Sequence, residues 1–116
     1  MLAQLASGSK TPVHDGVCFH CQQCAEKYLK GLMEELGLTV PKIHDLERLM
    51  NAVAHHHAIM RSFRRGLVFL SQFAVDPRYP GKRASNRQAV AALRWADRVR
   101  AQVRSLLGIR ERRRKK

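Results

Sequence analysis

The stretch from Cys21 to Leu36 constrains the fold more than any other. Cys21, Ala25, Tyr28, Leu29, Leu32 and Leu36 recur at steps of three and four, the spacing that lines one side of an α-helix and needs a neighbouring element to cover it. His20, Gln23, Lys27, Lys30 and Glu34 fall on the other side. Gly37 supplies a stop, because glycine takes the left-handed conformation without a Cβ penalty. Pro41 bars the helix from resuming, and the Asp45 carboxylate can cap a new one. The reading is a helix over residues 14–36, a short turn, and a helix over 45–57 whose apolar side is Leu46, Leu49, Met50 and Val53.

The same spacing continues. Met60, Phe63, Leu67, Leu70 and Ala74 predict a helix over 58–75, with Arg61, Arg64 and Arg65 off its apolar stripe. Asp76-Pro77 ends it, since the residue before proline is pushed out of helical geometry, and 77–82 is turn-rich. Ser85-Asn86-Arg87-Gln88 has the form of a capping box. After it Val90, Leu93, Ala96, Val99, Val103 and Leu106 predict a helix ended by Gly108, with Arg94, Arg98, Arg100 and Arg104 on other faces. Leu2 and Leu5 share a face, so residues 1–6 read as the end of a short helix, and 7–15 as a loop. No useful length alternates with period two, so strands are not expected. The expected fold is all-α: an up-and-down antiparallel bundle of four main helices plus a short N-terminal helix remnant. One domain covers 1–109, and a basic tail, RERRRKK, covers 110–116.

Composition fits this. A chain of 116 residues is one domain, and 45% hydrophobic with only 6% aromatic content suits a bundle packed by Leu, Val and Ala. No apolar run approaches the roughly 20 residues that span a bilayer, and the start lacks the basic-then-apolar order of a secretory signal. The expected location is the cytoplasm, away from membranes. The charge is lopsided: the first 58 residues carry five Lys/Arg against six Asp/Glu, whereas the remainder carry 17 against three, within a net charge of +13. Such a field favours a polyanionic or acidic partner, although a solvated helix face followed by a basic tail has the same composition.

Two separated groups of residues resemble a known family. Phe19, His20, Gln22, Gln23, Ala25, Glu26, Lys27, Leu29 and Lys30, then Val40, Pro41, Lys42, His44, Asp45 and Leu46, follow the order F-H-x-Q-Q-x-A-E-K-x-L-K … V-P-K-x-H-D-L. Arg78-Tyr79-Pro80 follows a hydrophobic helix. This order resembles the HEPN domain (higher eukaryotes and prokaryotes nucleotide-binding) from about Asp15 to Leu107. The resemblance implies a helical module associated with nucleotides or nucleic acid. Such modules are often paired with a minimal nucleotidyltransferase in a toxin–antitoxin-like arrangement and often form homodimers. It also implies a longer first helix than residues 1–6 supply.

His20, Gln22, Gln23, Glu26 and Lys27 can line a nucleotide pocket or bond neighbouring helices and fix the bundle; buried polar groups must be paired in either case. Arg78 and Tyr79, beside a proline-fixed turn, can grip a phosphate and stack a base, or tie the turn to the bundle. Arg61, Arg64 and Arg65 would add cationic contacts, and the tail salt-sensitive affinity. Ribonuclease members of the wider superfamily carry R-x4–6-H, in which Arg steadies charge on a phosphate and His moves protons. Arg48 and His55 fit that spacing, with six residues between them. Leu49 follows the arginine where a polar residue is usual, however, and no histidine follows His57, where the motif normally lies. The alternatives to a non-catalytic module are therefore a metal-independent ribonuclease using Arg48 and His55, and a purely structural adaptor.

Cys18, Cys21 and Cys24 form C-x2-C-x2-C. A metal site needs ligands converging from several directions, which three cysteines along one helix do not provide, and free cysteine packs as a small hydrophobe. Adjacent histidines on a helix point about 100° apart, so His55, His56 and His57 do not share one ion. No metal and no cofactor is expected.

Overall fold

The computed structural model describes residues 12–74 and 84–108. The helices are α1 (Pro12–Glu35), α2 (Leu46–Ala54), α3 (Arg64–Ser71) and α4 (Asn86–Leu106), with a 3-10 helix, Ala58–Phe63, leading into α3. Among the described residues there is no strand. Over the described residues the chain is an all-α bundle of four α-helices, as its periodicity predicts. The N-terminal remnant (1–6) and the basic tail (110–116) lie outside the described residues.

The core lies where the apolar stripes meet. Leu29 and Leu32 of α1, Leu46, Leu49, Met50 and Val53 of α2, Met60 of the 3-10 helix, Leu67 and Leu70 of α3, and Val99 and Val103 of α4 are all essentially inaccessible. Gly37 has φ +74°, and the Leu38 N–H returns to the Met33 carbonyl at 2.9 Å, closing α1 as glycine there allows. Asp45 caps α2, its carboxylate accepting from the N–H groups of Glu47 (3.0 Å) and Arg48 (3.4 Å). The Ser85–Gln88 capping box starts α4, with both reciprocal bonds at 3.0 Å.

Contacts between elements set their directions. The buried Asp15 carboxylate, in the first turn of α1, accepts from the Ala84 N–H at 2.5 Å, just before α4 begins. About two and a half to three and a half turns further on, Cys24 and Tyr28 of α1 sit within the electrostatic reach of Arg100 of α4. These two helices therefore run the same way, and the expected alternation of direction does not extend to this pair. Two ties fasten α3 to the first turn of α2: the Leu46 N–H donates to Ser71 Oγ at 2.9 Å, and Arg64 pairs with Glu47.

Three local expectations change. The helix expected over 58–75 is divided, a 3-10 helix over Ala58–Phe63 and an α-helix from Arg64. In 3-10 winding residues i and i+3 eclipse, which lines up Met60 and Phe63 toward the core, and the Ser62 hydroxyl donates to the Ile59 carbonyl at 2.8 Å. The helix expected over 45–57 ends at Ala54, and the N–H groups of His56 and His57 fold back to the Val53 carbonyl at 3.0 and 2.9 Å. On α4 the buried row is Ala89, Ala92, Ala96, Val99 and Val103, whereas Val90 and Leu93 are 45% and 55% exposed. Alternating steps of three and four hold one face, but the successive threes from Val90 to Leu93 to Ala96 drift round the helix by about 60° each. Three alanines and two valines occupy the core side, and Val90 and Leu93 are left outside.

Candidate functional site

The polar residues of α1 are gathered on one edge. Gln22, Glu26 and Lys30 are four apart, and residues 36–45 fold back so that His44 meets the middle of this row. Glu26 is buried and takes four bonds. Its carboxylate accepts from Gln22 Nε2 (3.0 Å) and Lys30 Nζ (2.9 Å), and His44 Nδ1 lies 2.9 and 3.1 Å from its two oxygens. Gln22, wholly buried, also donates to the His44 carbonyl at 3.2 Å, and its own carbonyl oxygen accepts from Gln23 Nε2 at 3.0 Å. Burial alone would push the Glu26 carboxyl up. The bonds from Lys30, Gln22 and His44 and the Lys30 charge outweigh it, and the net shift is downward. A carboxylate facing Nδ1 holds the ring proton there and leaves Nε2 toward solvent; the His44 side chain is 64% exposed.

A second arrangement lies where α3 crosses α4. Gly66 packs on Trp95 so closely that a Cβ at Gly66 would sit 2.0 Å from Trp95 Cε3. The Arg98 guanidinium lies over the same indole, 5.3 Å from its centroid. On α4, Arg100 donates to Asp97 at 2.8 Å, and Asp97 first and Tyr28 more weakly hold its pKa above the ordinary value.

The HEPN domain family matches residues 4–106 of the chain. The chain belongs to the HEPN domain family. No curated protein and no solved structure matches it. In this HEPN chain Gln22, Glu26, Lys30 and His44, which carry the sequence resemblance, are spent on tying α1 to the loop before α2.

The remaining candidates separate. Beside that tie, Gln23 is half-buried, while His20 and Lys27 stand on the exposed side of α1. Arg48 and His55 are both exposed; seven positions apart, they share one side of α2 about 10 Å apart along its axis. Arg61, Arg64 and Arg65 are exposed, and Arg64 is engaged by Glu47. Arg78 and Tyr79 lie outside the described residues. Cys18 and Cys21 are buried and Cys24 is half-buried, all three as free thiols. Burial pushes each thiol up, Cys18 to about 11, with Cys21 and Asp15 adding to the shift there. They pack as core. Among the described residues no group of three or more His, Cys, Asp or Glu is placed to hold a metal ion, and no helix is long and apolar enough to cross a membrane.

Sequence reasoning missed the pairing of Glu26 with His44 and of Trp95 with Gly66. Only the i, i+4 spacing of Gln22, Glu26 and Lys30 pointed toward the first. Nothing local pointed toward the second.

Proposed function

We propose that this HEPN chain is a non-catalytic, RNA- or nucleotide-associated module, acting as a homodimer beside a minimal nucleotidyltransferase in a toxin–antitoxin-like pair. One observation carries the reading. Of the polar residues that mark the family, Gln22, Glu26, Lys30 and His44 are occupied in an internal tie, while a set of exposed arginines faces outward with no carboxylate engaged. Among the described residues Arg61, Arg65, Arg87 and Arg94 have no ion-pair partner. Exposed cations without internal partners favour phosphates, and the tail RERRRKK adds to the same field. The apolar edge formed by Val90 and Leu93 suits a protein contact, since buried apolar area drives association.

Co-purification from the native host, with mass spectrometry of bound proteins and nucleotides, tests this. A nucleotidyltransferase and RNA or nucleotide in the eluate are the expected result. A protein that elutes alone and nucleic-acid-free contradicts it.

The ribonuclease reading retains one favourable observation: Arg48 and His55 share a solvent-facing side of α2. Its test is direct. If His55→Ala cleaves RNA at the unchanged rate, these residues are not the catalytic pair.

A further inference from the structure

We propose that Arg65, Arg94 and Arg98, on the outer side of the seam between α3 and α4, form the seat on which the RNA backbone binds. This deepens the RNA-associated reading above and rests on it.

Helical phase places the three together. The buried row of α4 is Ala89, Ala92, Ala96, Val99 and Val103. At about 100° per residue, Arg94 points diametrically away from it. Arg98 lies about 40° from Arg94, on the same side as Trp95. Trp95 faces α3, because its ring packs against Gly66. On α3, Arg64 and Ser71 share the side tied to α2, and Gly66 marks the opposite side, toward α4. Arg65, next to Gly66, is exposed on the outer surface there. The seam therefore carries exposed arginines on both banks, with Trp95 beneath.

The charges are available. Among the described residues neither Arg65 nor Arg94 has an ion-pair partner, and Arg98 is engaged there by the Trp95 ring. Asp97, the carboxylate beside them on α4, is taken by Arg100 at 2.8 Å. Stacking on the indole holds the Arg98 guanidinium in place, so less freedom is lost when it meets a phosphate, and the planar fork suits phosphate oxygens. A phosphate backbone, with one charge per nucleotide, answers several uncompensated arginines at once, and the most exposed apolar side chain of α4, Leu93, turns toward the other edge, about 100° from Arg94. The indole is packed by Gly66 and stacked by Arg98, so its contribution to the seat is to hold the guanidinium. Binding through this seat is therefore to the backbone, indifferent to sequence and sensitive to salt.

Fluorescence anisotropy of the full chain with a fluorescein-labelled oligouridine of about 20 nucleotides, measured across a salt series, tests the seat. The triple variant R65A/R94A/R98A is expected to bind at least about tenfold more weakly. Its log-affinity against log-salt slope should fall by about 2, near 0.7 for each lost phosphate contact. Arg98→Ala alone should weaken binding more than Lys42→Ala, which removes one exposed charge elsewhere. Thermal unfolding of each variant should match the parent, since all four side chains are exposed. If the parent binds and the triple variant binds equally well, the seat is wrong and the RNA-associated reading stands. If polyglutamate of equal charge competes as well as unlabelled RNA, the seat is a carboxylate-binding surface and the proposal falls. If the parent binds no RNA at all, the RNA-associated reading and the seat fall together.

Discussion

Glu26 is the residue on which the local structure of this HEPN chain turns. It is buried yet charged, and it is kept so by donors from Gln22, Lys30 and His44. Glu26→Gln keeps the volume but loses the charge that all three donors answer, and a broken buried network of this kind costs about 1–3 kcal/mol. Urea denaturation at neutral pH is expected to show that loss. The pH dependence has a defined sign. The Glu26 pKa is lowered from its ordinary 4.5 in the folded chain, so its contribution is complete above that value and disappears as pH falls through the lower, folded one. The parent is expected to lose stability below about pH 4.5, and Glu26→Gln should show a shallower decline there. Equal acid sensitivity in the two proteins would remove Glu26 from this role.

Among the elements, the crossing of α3 on α4 depends on a missing side chain. Gly66→Ala should raise helix propensity by up to about 1 kcal/mol. The new Cβ would nevertheless meet Trp95 Cε3 at 2.0 Å and Cδ2 at 2.1 Å, and a rigid ring cannot yield as a flexible chain end can. Overpacking costs about 1–3 kcal/mol or more, so the clash wins. The variant should melt lower, and Trp95→Leu in the same chain should recover part of the loss. A Gly66→Ala protein that melts at or above the parent would mean the two helices do not pack as described. On α4 position round the helix, not apolar character alone, decided what went inward: Val99 and Val103 are buried while Val90 and Leu93 are exposed.

For the whole molecule, the surface of α4 carries exposed arginines and the exposed apolar residues Val90 and Leu93. Of the proposed RNA seat, Arg98 lies on the side of α4 toward α3 and Arg94 on its outermost line, whereas Leu93 lies on the other side and Val90 next to Arg94. If the Leu93 side joins two copies, Leu93→Asp should convert a dimer to a monomer in light scattering. Its melting as a monomer should stay within about 0.5 kcal/mol of neutral, as for other exposed positions. A dimer that persists, in Leu93→Asp and Val90→Asp alike, places the homodimer contact elsewhere.

Steps of three and four between apolar residues, Gly37, the Asp45 cap and the Ser85–Gln88 box act within a few positions of one another. The sequence alone therefore determined the four-helix, all-α character, most helix starts and the family, and these were legible before any coordinates. Tertiary contacts decided the rest. The phase of α4 was set by which face α1 could accept, and Val90 was misread because a short run of apolar steps fits two phases. The meeting of Glu26 with His44, the shared direction of α1 and α4, and the Gly66–Trp95 seam join residues 18 to 69 positions apart. No local propensity encodes such meetings. They follow from the whole chain burying its apolar surface at once, with every buried polar group paired.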